Sequence, residues 1–391
     1  MDPTSVNSQF LAPNLHRRSR HATPTTHKKS DPAQQADKFK STANGAQTKP
    51  TENKFNRCSI SSYSPLGIQK RLNRSLQREI LESLPEAAKK VIHSDEQPSD
   101  QVINAMVCSF DWSLLGSQSS SFSNKTALGL SLLTWHAYEV FAGAKVLRSE
   151  HDVFGVVRGI VNQVSEHGEK GYSGRALIVL KDNQINVSLP GTRNFQDALR
   201  DFDCWKSKEE KGHVHIGFQK CADSLIPEIN DAIEKLRKRY PDTRIRVSLS
   251  GHSMGGSIAM ILANRLSNRP EIEIVSVYTF GSPKTFDKEE ATNYAQKGLS
   301  QKTWRIINKS DFVSLIPDKC LSTSYQHTGN LVYVSSNDSV WKNPSHESMQ
   351  KDQSSYSLLS ILCKGWNSSL ILDHSLRAYA KAMYLQSLTD Q

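Results

Sequence analysis

The sequence predicts an α/β fold in which a mainly parallel central sheet is flanked by helices. Its C-terminal half alternates apolar strands with helices, an arrangement typical of the βαβ units that build parallel sheets. The alternating elements are a strand over 245–249, a helix over 257–266, and strands over 274–280 and 303–307. A second observation is a pair of apolar strands within 176–189, joined by a turn at 181–184.

Three further helices are predicted from apolar residues spaced three and four positions apart, over 66–92, 126–144 and 224–239. The stretch over 127–144 is the most apolar of the chain, but His136 and Glu139 interrupt it. A membrane span needs roughly 18 or more apolar residues in a row, so this stretch is predicted to be a buried helix.

The first 60 residues differ from the rest in composition. They are rich in Ser, Thr, Pro, Asn and Gln, and between Met1 and Arg57 ten Lys and Arg stand against four Asp and Glu. Such a segment cannot bury enough apolar area to offset the entropy of ordering, so we expect a disordered basic tail over 1–60. A helical extension over 61–120 and the main α/β domain over 121–391 would follow. Nucleic-acid binding by the tail is less favoured than a solubilising or export-related role.

Cysteine usage and the N-terminus bear on the compartment. The six cysteines are scattered along the chain without close pairs, which indicates neither a disulfide framework nor a zinc site. The first residues lack an apolar segment of the kind found in secretory signals. We therefore expect a cytoplasmic protein by default, with export by a route other than the Sec pathway left open.

A Gly-x-Ser-x-Gly pattern centred on Ser253 lies between a predicted strand and a predicted helix. Side chains two positions before and after the serine would collide in so sharp a turn, and Gly251 and Gly255 remove these collisions. The serine hydroxyl would project above the sheet, beside helix amides that can stabilise an oxyanion. The pattern therefore predicts a nucleophile elbow and a serine hydrolase of the α/β-hydrolase type.

A serine nucleophile needs a histidine base oriented by a carboxylate, and in α/β-hydrolases both follow the serine in the chain. Asp311 lies in a loop directly after the strand over 303–307, where such an acid is expected. Asp287 follows its strand more closely and Asp318 lies beyond Pro317, so both are weaker candidates.

Three histidines follow Ser253 and are candidates for the base. His374 lies at a predicted junction between a loop and the last helix, His327 precedes a predicted strand, and His346 lies in a polar stretch without a regular element. His327 is expected to be structural or at the edge of a pocket, and His346 to lie in an exposed loop. Spacing alone leaves the choice between His374 and the other two open.

Six segments, taken in order, resemble motifs of the fungal-type (class 3) lipase family. They are Leu189–Arg193, Val214–Phe218 (as a strand), Gly251–Gly256, Val277–Pro283, Asn308–Pro317 and Leu372–His374. The resemblance covers about residues 124–385. It implies an α/β-hydrolase fold and the hydrolysis of lipid esters without a metal or an organic cofactor.

The resemblance also assigns roles to residues. It makes Ser253 the nucleophile, His374 the general base and then acid, and Asp311 the carboxylate that orients the histidine. Thr192, through its amide and hydroxyl, and Met254, through its backbone amide, would stabilise the oxyanion. His215 and His252 fall at positions that are structural in the family.

The sequence departs from the family pattern in three places. Pro190 stands where an arginine is usual, and Lys-Thr-Phe-Asp over 284–287 replaces Arg-Val-Gly-Asn. A long polar stretch over 338–370 precedes the base and has the character of an insertion beside the active site.

An amphipathic segment follows Thr192 in the sequence. Phe195, Ala198, Leu199 and Phe202 fall on one face of a helix, with polar residues on the other. In the family that it resembles, a lid helix at this position covers the closed site. An ordinary packed surface helix would show the same stripe.

These observations predict a hydrolase that cleaves carboxylic esters of lipids through an acyl-enzyme. A phospholipase, a thioesterase or a small-ester esterase on the same fold is an alternative, as is a non-catalytic lipid-binding protein with a decayed triad. The net charge of +10 predicts anionic lipid surfaces as partners.

Overall fold

The computed structural model describes residues 97–116, 118–143, 154–157, 174–192, 206–309, 311–317, 324–353 and 373–388. All of these residues lie within one compact unit, Lys54–Gln391. The tail expected over 1–60 and the helix expected over 66–92 lie outside the described residues. The division of the chain at residues 60 and 120 therefore stays a prediction.

The described strands form an eight-stranded sheet and a separate pair. They are β1 (Phe154–Val157), β2 (Ala176–Lys181), β3 (Gln184–Leu189), β4 (Lys206–Lys208), β5 (His213–His215), β6 (Ile245–His252), β7 (Ile272–Phe280), β8 (Thr303–Asn308), β9 (Asn330–Val334) and β10 (Val340–Lys342). The main sheet has the order β1-β2-β3-β6-β7-β8-β9-β10, and β4 pairs with β5. Parallel pairing joins β3, β6, β7, β8 and β9, and antiparallel strands complete both edges. The predicted mainly parallel sheet is confirmed.

Eight α-helices occur among the described residues. They are α1 (Asp100–Ser109), α2 (Asn124–Phe141), α3 (Ile216–Asp223), α4 (Ile226–Arg239), α5 (Met254–Leu266), α6 (Lys288–Gln296), α7 (His346–Asp352) and α8 (Leu376–Ser387). Of the helices that the structure describes, none has the length and hydropathy to cross a membrane.

Two apolar clusters cover the two faces of the sheet. In β2, Ile178 belongs to a cluster with α3, α4 and α5, whereas its neighbours Leu177 and Val179 belong to a cluster with α1, α2 and α8. This division follows from the strand period of two, which sends successive side chains to opposite faces. The result is a three-layer α/β/α arrangement in which the carboxyl ends of the parallel strands meet at one edge.

One expectation about local structure is wrong. The segment over 214–218 is not one strand, because β5 ends at His215 and α3 begins at Ile216. The helix expected over 224–239 is confirmed as α4, which begins at Ile226 with Pro227 in its first turn and ends at Arg239. Proline has no amide hydrogen and is tolerated in a first turn but not in a helix interior, so the chain starts a new helix there.

Candidate active site

Ser253 occupies a sharp turn between β6, which ends at His252, and α5, which begins at Met254. Its backbone has φ 56° and ψ −131°, a strained conformation for a residue other than glycine. Its amide donates to the Phe280 carbonyl at 2.9 Å, and its side chain is buried. The strain is held in place by the strand before the turn and the helix after it.

The two glycines of the turn have no room for side chains. A Cβ added to Gly251 would lie 2.2 Å from the Gly255 carbonyl oxygen, and one added to Gly255 would lie 2.2 Å from the Leu189 carbonyl oxygen. Real Cβ atoms do not approach backbone atoms so closely, so both positions require glycine. The close contact at Gly255 also brings the end of β3 against the start of α5.

His374 and Asp311 form a buried pair. The His374 Nδ1 atom lies 2.8 Å from Asp311 Oδ2, and both side chains are shielded from solvent. Asp311 also accepts from the Tyr379 hydroxyl at 2.5 Å through Oδ2 and from the Val313 amide at 2.9 Å through Oδ1. Burial, and then the nearby Asp311 carboxylate, raise the pKa of Tyr379 well above its usual value, so its hydroxyl stays a donor.

Ser253 and the His374–Asp311 pair are both next to the same two backbone residues, Phe280 and Gly281. The Ser253 amide is bonded to Phe280, and a Cβ added to the next residue, Gly281, would lie 2.3 Å from Asp311 Oδ2 and 2.9 Å from His374 Nδ1. Gly281 has φ 58°, the left-handed conformation that favours glycine. The absence of a side chain at Gly281 therefore lets the pair settle next to the turn that carries Ser253.

A chain of hydrogen bonds links the oxyanion segment, the turn and His374. The Gly191 amide donates to the Tyr138 hydroxyl at 2.6 Å, that hydroxyl lies 2.9 Å from His252 Nδ1, and His252 Nε2 lies 2.7 Å from the His374 carbonyl oxygen. A carbonyl oxygen only accepts, so Nε2 carries the proton and Nδ1 accepts from Tyr138. Burial, and then neighbouring His374, hold the pKa of His252 well below its ordinary value, which keeps this ring neutral.

Thr192 and Met254 lie side by side. The Thr192 hydroxyl is 3.8 Å from the Met254 sulfur, and a Cβ added to Gly191 would lie 2.8 Å from Ser253 Cβ. The segment that follows β3 is thus brought against the turn, as the sequence predicts. Met254 is the first residue of α5, so its amide belongs to the unpaired amides of a helix N-terminus.

The competing residues have other contacts. Asp287 caps α6, accepting from the Glu290 amide at 3.0 Å, and lies 2.9 Å from His213 Nδ1. His327 Nε2 lies 2.6 Å from the Ser314 carbonyl oxygen. His346 is exposed, as expected, but it begins α7 instead of lying in an irregular loop, because Ser345 caps a helix there. Asp318 lies outside the described residues.

Several predicted features lie wholly or partly outside the described residues. Phe195, Ala198, Leu199 and Phe202, which carry the predicted lid, lie outside the described residues. The polar stretch over 338–370 contains β10 and α7, and its part from 354 onward also lies outside them. Within the ranges that the structure describes, no group of three or more His, Cys, Asp and Glu side chains is arranged to hold a metal ion.

Two tyrosines of the site were not predicted from the sequence. Tyr138 lies on α2 and Tyr379 on α8, and each contacts a site residue more than 60 positions away in the chain. No local pattern marks such a hydroxyl. His252 was expected to be structural, and its bond to the His374 carbonyl is consistent with that expectation.

Comparison with known proteins identifies the segment that carries this geometry. Residues 186–320 match the family model of class 3 lipases. These residues belong to the class 3 lipase family. The matched segment contains Thr192, Ser253 and Asp311 but ends before His374, and it is shorter than the 124–385 over which the sequence resembles the family.

Similar proteins agree with this family. The chain is 29% identical over 130 residues to the secreted mono- and diacylglycerol lipase MDL2 of Malassezia globosa, covering 33% of the chain and 41% of that protein. It is 28% identical over 128 residues to the chloroplastic phospholipase A1-Ialpha2 of Arabidopsis thaliana, covering 31% of the chain and 25% of that protein. The chain thus spans less than half the length of these two relatives.

A solved structure supports the fold of the class 3 lipase segment. The Lip2 lipase of Yarrowia lipolytica superimposes with a TM-score of 0.50 at 17% identity, over 62% of this chain and 90% of that one. At this level of identity the similarity concerns the fold alone. The predicted α/β-hydrolase fold is confirmed.

The expectation of a cytoplasmic protein is wrong. Four Malassezia globosa relatives of this class 3 lipase segment are named as secreted lipases, which points to export. The expectation depended on the polar character of the N-terminal residues, and that region lies outside the matched segment.

Proposed function

We propose that the chain is a carboxylic ester hydrolase that acts on lipid esters through an acyl-enzyme on Ser253. The observation that carries this proposal is that the strained Ser253 turn and the buried His374–Asp311 pair are brought close together, because the turn is bonded to Phe280 and the pair lies against Gly281. A serine next to a histidine–carboxylate pair is the arrangement by which serine hydrolases activate their nucleophile. The class 3 lipase segment and the lipases similar to it support a lipid ester as substrate.

In the first half of the reaction, the Ser253 oxygen attacks the ester carbonyl while its proton passes to His374 Nε2. The Nδ1 proton of His374 stays on the ring and is donated in a hydrogen bond to the Asp311 carboxylate, which stabilises the imidazolium. The Thr192 amide and hydroxyl and the Met254 amide hold the oxyanion. The tetrahedral intermediate then collapses, and the leaving alcohol takes the proton from His374.

The second half repeats these steps with water. His374 takes a proton from the water as its oxygen attacks the acyl carbonyl, and the same donors hold the second oxyanion. The intermediate expels the Ser253 oxygen, which regains its proton, and a carboxylic acid leaves. The acyl chain would be covered by a lid formed by the apolar stripe of Phe195, Leu199 and Phe202.

Labelling by a fluorophosphonate tests the nucleophile. We expect the purified chain to label stoichiometrically and to hydrolyse short-chain nitrophenyl esters, and the Ser253→Ala variant to lose labelling and a factor on the order of 10⁶ in kcat. Ser113→Ala, at an exposed position on the chain, is the matched control and should retain both. A folded wild-type chain that never labels would favour a non-catalytic lipid-binding protein.

A substrate panel then separates the classes of ester. Acylglycerols, phospholipids, thioesters and soluble esters, presented with and without a lipid interface, would be compared as kcat/KM. We propose acylglycerols as the preferred substrates, and a higher rate on phospholipids would assign a phospholipase activity instead. Because the chain carries a charge of +10, hydrolysis at anionic vesicles should fall as salt is raised.

A further inference from the structure

A cavity beside the sheet has Asp311, but not Ser253, in its wall. It has a volume of about 240 Å³ and is bounded by β8, β9, the turn Phe312–Leu315 and α7. Neither Ser253 nor Thr192 nor Met254 lines it. Its walls are mainly apolar, and the apolar residues that form them are Ile307, Phe312, Leu315, Leu331, Tyr333 and Met349. A cavity of this size suits a ligand smaller than a drug-sized molecule.

Arg305, on β8, lines this apolar cavity. Among the residues that the structure describes, none forms a hydrogen bond or an ion pair with its guanidinium, and its Nε atom is buried. Burial lowers the pKa of Arg305 from 12.5 to about 10, so the group is still charged at neutral pH. The side chain as a whole is half-buried, so its charge is partly desolvated, and an anion that entered the cavity would lower the cost of that desolvation.

The other titratable groups of the cavity do not neutralise Arg305. Asp311 already accepts from His374, Tyr379 and Val313. Its carboxylate oxygens are therefore already hydrogen-bonded, and none of these bonds is to Arg305.

Three of the remaining groups are basic, and the fourth, Tyr333, is an uncharged phenol. His327 donates from Nε2 to the Ser314 carbonyl, and burial, followed by the charges of Arg305 and Lys284, holds its pKa well below the usual value, so it is neutral. Lys284 adds a second positive charge, and His346 lies exposed on α7 at the wall. The cavity therefore offers positive charge at an apolar wall.

We infer that this cavity is a second ligand site, which binds the carboxylate of a short aliphatic acid on Arg305 and its chain against the apolar walls. A guanidinium matches the two oxygens of a carboxylate, and a single guanidinium suits a monoanion better than a phosphate dianion. Leu315 lines the cavity and is 55% exposed, which extends the apolar path to solvent. Binding here does not depend on hydrolysis at Ser253, although such acids are products of that reaction.

Calorimetric titration of the full-length chain with octanoate tests the site. We expect octanoate to bind at least about tenfold more tightly than octanol, which lacks the charge, and than acetate, which lacks the chain. Arg305→Leu should lower the affinity for octanoate to that for octanol. Its melting temperature should not fall, because the variant removes an unpaired charge from an apolar wall.

A second variant tests the same site without removing Arg305. Leu331 lies directly beside Arg305 in the parallel register of β8 and β9, so Leu331→Glu places a carboxylate where the ligand's would bind. Octanoate affinity should then fall about as far as in Arg305→Leu, while the matched Leu331→Gln retains binding.

Three results would overturn the inference. The first is octanol binding as tightly as octanoate. The second is octanoate affinity unchanged in both Arg305→Leu and Leu331→Glu, which would place binding elsewhere, for example at Ser253. The third is octyl phosphate binding more tightly than octanoate, which would assign the site to phosphate-headed lipids. Because fluorophosphonate labelling reports on Ser253 and not on Arg305, failure of the proposed hydrolysis would be seen separately.

Discussion

At the scale of single residues, the carboxylate of Asp311 is the most constrained group of the site. Its two oxygens receive three donors, from His374, Tyr379 and Val313, at 2.5 to 2.9 Å. Hydrogen bonds to an ionised group are roughly twice as strong as those between neutral groups, and here they fix the orientation of the carboxylate. Tyr379 thus acts on His374 through Asp311, as a positioning residue.

Removing the Tyr379 hydroxyl tests this role. In Tyr379→Phe we expect kcat to fall roughly tenfold with little change in KM, because one charged hydrogen bond to Asp311 is lost while the substrate site is untouched. Steady-state kinetics on a soluble ester would measure both constants. Tyr384→Phe, on the same helix and also buried, is the control and should keep kcat. Equal losses in the two variants would mean that Tyr379 only supports packing.

The sequence predicted the proposed catalytic residues better than their supporting residues. Ser253, Asp311 and His374 each occur in a motif with a fixed place relative to a strand or helix, which is why they could be predicted. In the structure, Asp311 and His374 are paired beside Gly281, the residue after the one to which the Ser253 amide is bonded. Tyr138 and Tyr379 are single residues on helices, and their partners come from distant parts of the chain. Only tertiary packing reveals such contacts.

At the scale of elements, α2 connects three parts of the site through one side chain. Tyr138 accepts from the Gly191 amide at the end of β3 and donates to His252 at the end of β6, which in turn holds the backbone of His374. A helix on one face of the sheet therefore sets the distance between the oxyanion segment, the Ser253 turn and His374.

We expect Tyr138→Phe to lower kcat roughly three- to tenfold, because the Gly191 amide and His252 each lose a partner and the oxyanion segment is less well placed. Thr134→Val is the matched control, since Thr134 lies one turn earlier on α2 and also bonds to β6, through Ser250 at 3.0 Å. That variant should lower the melting temperature without lowering kcat. A loss of melting temperature alone in Tyr138→Phe would contradict the positioning role.

The elements that the sequence predicted well are those with strong apolar patterns. The strands expected over 245–249, 274–280 and 303–307 differ from β6, β7 and β8 by no more than three residues at either end. The short strands β4 and β10, with three residues each, carry no such pattern. Their pairing depends on the neighbouring strand, which a local sequence window does not contain.

At the scale of the whole molecule, two buried histidines, His136 and His252, and the half-buried His327 make the fold sensitive to acid. Burial lowers the pKa of His136 to about 4 and holds the pKa values of His252 and His327 well below their ordinary value. Each histidine is therefore neutral in the folded chain over a pH range in which the unfolded chain takes up protons. Each of the three therefore contributes to the dependence of the free energy of unfolding on pH.

The sign and range of this effect follow from linkage. Above pH 6.5 His136 is neutral in both states and contributes no pH dependence, whereas between pH 6.5 and about 4 only the unfolded state is protonated. The free energy of unfolding should therefore decrease as the pH is lowered from 6.5 to about 4, and His136 alone should account for up to about 3 kcal/mol of that decrease. Denaturant unfolding at a series of pH values would measure it. His136→Gln should flatten the dependence, and His346→Gln, at an exposed position on α7, should leave it unchanged. An equally steep acid loss in His136→Gln would mean that other buried groups cause it.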